Sequence, residues 1–356
     1  MCTKELIKIV TIKDIAKIAG VSHSTVSRSL NDSSEISQKT KDKIKKIADE
    51  LGFEFNNNAR SLSTRKTGTI GVIFDNSFDQ ENSSLFFSKL LKEIRYSLEK
   101  EGLDMILDFR INPFNKKNNI KKLINTKKID AFIIADEYLT DEDIKFILDK
   151  EIPSIFVHKK PCFDKKYSAD FVLTDHFYGG YLATRFLIGQ QHKNIITFTH
   201  KYFGKEYSEF EERTKGFLKA MEESNLLADE SIVYREEISF AYGRSKIKEL
   251  VRTGKEFTAV FAQTDLVALG VIRGLDEIGL KVPQDVSVIG YDNIEFSKFS
   301  NPELTTINQP VEKLAKKAVE LLMNKLKRKS KKISKVVGET IIIEPDLIIR
   351  NSVGRS

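Results

Sequence analysis

Between Thr11 and Leu62 the chain carries short polar side chains at a spacing suited to reading duplex DNA. His23, Ser24, Ser27, Arg28 and Asn31 fall outward on one helical segment, Ser24 to Asn31, while Val26 and Leu30 point inward. An outward face that is short, polar and armed with one Arg fits a major groove, where a guanidinium reads guanine through two hydrogen bonds. A preceding segment, Ile12 to Ala19, meets it across the tight turn Ala19-Gly20-Val21-Ser22, which is the helix-turn-helix pattern.

Caps and small residues position that face. Thr11 is expected to cap the first helix with Asp14 as its returning partner, and Ser22 to cap the second. Ile12, Ile15, Ala16 and Ala19 share one face, and Gly20 suits a turn with an unusual backbone angle. A third helix, capped by Ser37, is expected to run to Leu51 with Ile44, Ile47, Ala48 and Leu51 inward, and Gly52 ends it. The next stretch, Asn56-Asn57-Asn58-Ala59-Arg60-Ser61-Leu62, is too polar for a core helix.

Charge is concentrated in the same place. Residues 1–66 hold thirteen Lys or Arg against eight Asp or Glu, a net charge of +5 out of the chain's +7. Cations clustered beside a groove-reading helix give phosphate affinity that falls steeply with salt.

The rest of the chain bounds the class. Its 356 residues exceed one small domain, and 40% hydrophobic with 31% charged residues describe a soluble globular protein. No apolar run is long enough to span a membrane, and Met1 to Val10 lacks the core of a secretory signal. Cys2 and Cys162 allow neither a disulfide framework nor a thiolate cluster, so the expected compartment is the cytoplasm. The five histidines, at 23, 158, 176, 192 and 200, show no metal-ligand spacing, and no nucleophile elbow or phosphate loop occurs. Neither an enzyme nor a cofactor is expected.

From Thr69 the pattern changes to alternating strands and helices. Strands are expected at Thr69–Phe74, Met105–Phe109, Ala131–Ile134, Ser154–Val157, Phe171–Thr174, Ile195–Thr199, Thr258–Ala262 and Val286–Gly290. Helices are expected at Ser84–Lys100, Tyr178–Ile188, Glu209–Glu223 and Asp265–Ile278. Such alternation implies parallel sheets flanked by helices. The strand count fits two lobes: a first of about 69–168 plus 298–330 and a second of about 169–297 plus 331–356, with a ligand cleft at the strands' carboxyl ends. Lys325 to Lys335, seven cations without an acid, reads as a solvated surface loop. The expected fold class is therefore α/β: an all-α headpiece at residues 10–55, a hinge and linker at 56–68, and a two-lobed core at 69–356.

Thr11-Ile12-Lys13-Asp14-Ile15-Ala16, Gly20-Val21-Ser22, Thr25-Val26-Ser27-Arg28 and Asn58-Ala59-Arg60-Ser61-Leu62 resemble signatures of the lactose/galactose repressor family. The resemblance continues through Arg213 with Gly216-Phe217, Thr264-Asp265, Val282-Pro283, Asp285 to Asp292, and Pro302 with Leu304-Thr305-Thr306. It implies a DNA-binding headpiece, a hinge helix and a sugar-binding core like that of periplasmic sugar-binding proteins. By resemblance, His23, Ser24 and Arg28 match base-reading positions, and Ser22, Thr25, Ser27 and Asn31 match phosphate or flanking contacts. Thr11, at the first helix's start, joins the DNA-contacting set, as do Asn56 and Ala59 in a hinge that folds on DNA. Leu62 matches a leucine that wedges between base pairs in the minor groove. Phe55 departs from the pattern, standing where the family usually has proline. In the core, Phe86 and Phe87 match an aromatic pair that stacks on ligand. Asp175, Arg213 and Asp292 match polar contacts to it, with Thr264 (in place of a common Asn) and Asp265 near them.

The implied partners are a near-palindromic operator, a small sugar and a second copy of the chain. A dimer is expected over a tetramer, since no leucine-heptad tail follows Arg350. The hinge region and the stretch Asp75 to Ser84 resemble the maltose-type regulators, which makes maltose or a related glucoside the expected effector. Two other readings stand beside release by sugar: tightening on DNA by a small molecule or phosphocarrier protein, and a sugar-binding protein serving transport. Glu295 stands where the carbon-catabolite branch has a basic residue, which argues against the former.

Overall fold

The computed structural model describes residues 10–30, 33–53, 66–74, 81–136, 138–158, 169–201, 208–330 and 338–356. The chain divides between Gly68 and Thr69 into two compact units.

The first unit is built on α1 (Ile12–Ala19), α2 (His23–Leu30) and α3 (Gln38–Glu50). Local chemistry sets each boundary. Asp14 Oδ2 accepts from the Thr11 amide at 2.9 Å, the return bond of a capping box, and also from the Thr11 hydroxyl at 2.7 Å. Gly20 takes a left-handed φ of 71° that a side chain would disfavour, turning the chain into α2. Ser22 Oγ accepts from the Thr25 amide at 3.1 Å, and Ser37 Oγ from the Thr40 amide at 3.3 Å. Ile15, Ala19, Val26, Ile44 and Ala48 close a small core, and the two alanines let the helices approach. Lys43 Nζ donates to the Ala19 carbonyl at 3.0 Å, placing a cation at the carboxyl end of α1.

The second unit holds two six-stranded sheets of matching topology. The first contains β1 (Thr69–Phe74), β2 (Asp104–Phe109), β3 (Ala131–Ala135), β4 (Ser154–Val157), β5 (Asp170–Thr174) and β11 (Thr340–Ile343), in the order β11-β5-β4-β3-β1-β2, all parallel. The second contains β6 (Ile195–His200), β7 (Val233–Glu236), β8 (Ala259–Ala262), β9 (Ser287–Tyr291), β10 (Thr305–Asn308) and β12 (Asp346–Ile348), in the order β12-β10-β9-β8-β6-β7. Only its edge strand β12 runs antiparallel. Every residue of β3, β4, β5, β8 and β9 is buried, the continuous apolar signature of strands covered on both faces. The covering helices are α4 (Glu81–Lys100), α5 (Asn119–Asn125), α6 (Asp141–Asp149) and α11 (Val311–Ser330) on the first sheet. On the second they are α7 (His176–Gly189), α8 (Glu209–Glu223), α9 (Phe240–Arg252) and α10 (Asp265–Asp276).

The lobe boundaries expected from sequence shift. β5 pairs with β4 in the first sheet, Phe156 opposite Phe171, so the first lobe runs on to Thr174 rather than ending at 168. β10 joins the second sheet beside β9, whereas α11 packs on the first sheet and β11 pairs with β5. The chain crosses between sheets three times, after β5, after β10 and after β11, because only strand pairing decides which sheet an apolar segment joins. Lys325 to Ser330 also differ from the expected loop: they extend α11, and Lys325 pairs with the buried carboxylate of Asp170.

Candidate DNA-reading surface and effector site

On α2, Ser22, His23, Ser24 and Arg28 are exposed, and Thr25 and Ser27 are half-buried. The hydroxyls are mutually ordered: Ser22 Oγ lies 2.8 Å from both Ser24 Oγ and Thr25 Oγ1. Thr11, exposed at the start of α1, completes the set at a helix amino terminus, where free amides suit a phosphate. Arg28 Nη1 rests 3.2 Å from Glu35 Oε2, and both side chains are more than half exposed. An exposed pair of that kind is worth under about 1 kcal/mol, so Arg28 is free to exchange Glu35 for a base edge. Arg28→Ala is expected to narrow the ratio of operator to random-sequence affinity by roughly 10-fold or more, read by competition binding at fixed salt. An unchanged ratio removes Arg28 from base reading. Asn31, Asn56, Ala59 and Leu62, and Phe55 with them, lie outside the described residues.

In the second unit Asp175, Thr264 and Asp292 follow the carboxyl ends of β5, β8 and β9, the strand ends at which ligands bind in open α/β sheets. Arg213, on α8, is fully buried. Its guanidinium stacks 3.7 Å from the Tyr291 ring centroid and 4.9 Å from that of Phe210. Nη1 donates to the Gln263 carbonyl at 2.5 Å, and Nη2 stands 3.8 Å from Asp292 Oδ1. Asp292 follows β9 in a positive-φ conformation, 109°, and accepts from Gln309 Nε2 at 2.7 Å. Gln309 Oε1 in turn accepts from Thr174 Oγ1 at 3.0 Å, tying two of the three crossings together. Phe86 and Phe87, on α4, lie in the first lobe's core. Phe87 packs edge-on to Phe74 at 5.3 Å, and Phe86 lies 4.4 Å from the ring of His158 at the end of β4.

Three expected contacts have structural duties. Asp175 caps α7 through the Tyr178 amide at 2.8 Å, and Thr264 caps α10 through the Val267 amide at 3.3 Å. Asp265 has the fullest set of partners. Wholly buried, it accepts from Ser297 Oγ at 2.6 Å, the Ile294 amide at 2.8 Å and Thr306 Oγ1 at 2.5 Å. Its carboxylate holds the segment after β9. A Cβ on Gly290 would come within 2.2 Å of Asp265 Oδ1, which is why that position is glycine. Sequence reasoning missed His158, His176, Tyr291, Gln263 and Gln309. Tyr291 lies inside a quoted motif, His176 and Gln263 stand directly beside Asp175 and Thr264, and Gln309 lies three residues past Thr306; nothing local marks His158.

Burial, and then the charge of Asp292, push Asp265 up to about 7 despite its three donors. Burial pushes Asp292 up to about 6, against the pull of Arg213 and Gln309. Burial, Arg213 and His158 hold His176 well below the ordinary histidine range. The signs oppose. A raised carboxyl contributes stability below about pH 4 and loses it as pH rises through 6–7. A depressed imidazole loses stability as pH falls below about 6.5. Asp292→Asn removes one raised acid and relaxes the other. Its unfolding free energy, measured by urea titration, should therefore gain on the wild type by about 1 kcal/mol or more between pH 5 and 7.5. A constant difference across that range contradicts the assignment.

A helix-turn-helix unit followed by a two-sheet binding-protein-like unit defines a DNA-binding transcriptional repressor with a ligand-binding core. Residues 11–56 match the model of bacterial regulatory proteins of the lacI family, and residues 184–353 that of the periplasmic binding protein-like domain. The chain is 33% identical over 345 residues to the HTH-type transcriptional repressor PurR of Vibrio campbellii, covering 96% of this chain and 98% of that one. It belongs to the lacI family. Among solved structures, it resembles a LacI family transcriptional regulator from Enterococcus faecium with bound ribose, at 28% identity and a TM-score of 0.67, over 81% of this chain and 99% of that one. It shares its fold with the lac repressor dimer bound to operator and the anti-inducer ONPF, at 24% identity and a TM-score of 0.73, over 98% of this chain and 100% of that one. These relatives are named as repressors and regulators. Among the described residues no helix is long and apolar enough to cross a membrane.

Proposed function

We propose that the protein is a sugar-released repressor of carbohydrate-utilisation genes, acting as a homodimer on a near-palindromic operator. The observation that carries the reading is the cluster of Arg213, Asp292 and Tyr291, linked through His176 and His158 to the Phe86 ring. A cation and a carboxylate suit sugar hydroxyls, and aromatic rings suit the apolar faces of sugar rings. The ribose bound to the Enterococcus faecium regulator supports a sugar as the ligand class.

In this reading His23, Ser24 and Arg28 choose the site, and the hinge at 56–62 is the part the core controls. Sugar binding shifts the two lobes through the crossings that Thr174 and Gln309 link, and operator affinity falls. Maltose and related glucosides are the first effectors to test. The intact chain is heated with maltose, cellobiose, D-glucose and D-ribose. A ligand bound only by the folded state adds about 2.7 kcal/mol at a hundred times its Kd and raises Tm accordingly. A Tm unmoved by all four sugars, but raised by a nucleobase or another planar heterocycle, replaces the sugar reading with an aromatic effector.

A further inference from the structure

His176, at the start of α7, is fully buried within the effector site, and its two ring nitrogens have different surroundings. Nδ1 lies 3.3 Å from Arg213 Nε and 3.2 Å from the Tyr291 hydroxyl. A guanidinium N–H only donates, so Nδ1 carries no proton and the tyrosine hydroxyl must donate as well. Burial beside Arg213 keeps the ring from taking a second proton. The single proton therefore sits on Nε2, which is buried and has no hydrogen-bond partner. That edge faces away from Arg213 and Tyr291, and the ring lies 5.7 Å, edge to face, from His158, which itself packs on Phe86. Gly179 is part of the device, since a Cβ there would come within 2.4 Å of the Tyr291 hydroxyl.

A buried donor left unmade costs on the order of 1–3 kcal/mol, and a site that accepts that cost gains it back when a ligand supplies the acceptor. We infer that His176 is a specificity residue of the effector site, locked as the Nε2–H tautomer by Arg213 and Tyr291 and donating that proton to a hydroxyl or carbonyl oxygen of the ligand. This rests on the effector reading above. It adds that the ligand must place an acceptor between the Phe86–His158 wall and the Arg213–Tyr291 wall. An analogue lacking that oxygen leaves Nε2–H unpaired and is rejected.

Long-range 1H–15N spectra of the full chain with labelled histidine, assigned with His176→Gln, test the lock without any ligand. At pH 7 the expected His176 signals are an unprotonated Nδ1 and a protonated Nε2. A proton on Nδ1, or on both nitrogens, overturns the inference. The second arm titrates maltose, cellobiose, D-glucose and D-ribose. A sugar that binds should move the Nε2–H signal. His176→Phe should weaken it roughly 10- to 100-fold, and His176→Gln, which keeps a donor, should recover part of the loss. A His176→Phe affinity within twofold of the wild type overturns the inference. If none of the four binds, the sugar reading fails, and the His176 assignment is then decided by its imidazole signals alone.

Discussion

Arg213→Met is expected to abolish effector binding and to lower the unfolding free energy by about 3–5 kcal/mol, because it leaves the largely buried Asp292 without its cation. Methionine keeps much of the volume between the Tyr291 and Phe210 rings but none of the donors. Three groups then lose a partner: the Gln263 carbonyl, His176 Nδ1 and Asp292. Arg213→Met with Asp292→Asn should recover part of the stability, since the stranded charge is gone, and none of the binding. Urea denaturation and sugar titration of the two variants separate these effects. Wild-type stability in the single variant would show that the guanidinium does not hold the carboxylate.

The second large effect is backbone contact between α7 and α8. A Cβ at Gly180 would stand 2.0 Å from the Arg213 carbonyl oxygen and 2.9 Å from its Cα. On the other side of the crossing, a Cβ at Gly216 would stand 2.0 Å from the Phe177 carbonyl oxygen. No rotamer change relieves a clash with backbone, so Gly180→Ala must push the helices apart and carry Arg213 with them. The expected cost is about 3 kcal/mol or more, outweighing the gain of about 1 kcal/mol that alanine brings to a helix. Effector affinity should fall with it. Gly189→Ala, at the open end of the same helix with nothing within 4 Å of its Cβ, should leave Tm unchanged or slightly raised. Equal behaviour of the two variants would refute the close-approach argument. The second lobe repeats the device at Gly243 and Gly270, where α9 and α10 meet against the carbonyls of Val267 and Phe240.

The headpiece was legible because its determinants are local. Thr11 with Asp14, Gly20, Ser22 and Ser37 each act within three or four residues, and the structure puts every one to that use. The buried strands read equally well, since a short apolar run such as Ala131–Ala135 is the pattern of a strand covered on both faces. Less legible were β7, an edge strand reading Val-Tyr-Arg-Glu, and the seven-residue α5. Which sheet a strand joins was not legible at the crossings, so β5, β10 and β11 were each assigned to the wrong lobe. The site divides in the same way. Arg213 and Asp292 announce themselves by resemblance and by charge at strand ends. Asp265 looks the same in sequence, and only its three donors show that it serves the fold. The role of His176 depends on which of its nitrogens meets Arg213, a fact of packing between residues 37 positions apart.

Switching by a ligand requires different affinities for it in the DNA-bound and free states, and the coupling in such systems is typically about 1–3 kcal/mol. The most direct measurement uses the full-length chain and a near-palindromic duplex selected by that chain from a random library. Fluorescence anisotropy then gives operator affinity, at fixed salt, with and without the sugar that raises Tm. The proposed mechanism predicts that this sugar weakens operator binding by roughly 5- to 150-fold, and that Arg213→Met removes the response. Operator binding that the sugar tightens, or leaves unchanged while it occupies the core, would contradict release by sugar, and tightening would make the protein a corepressor-dependent member of the same family.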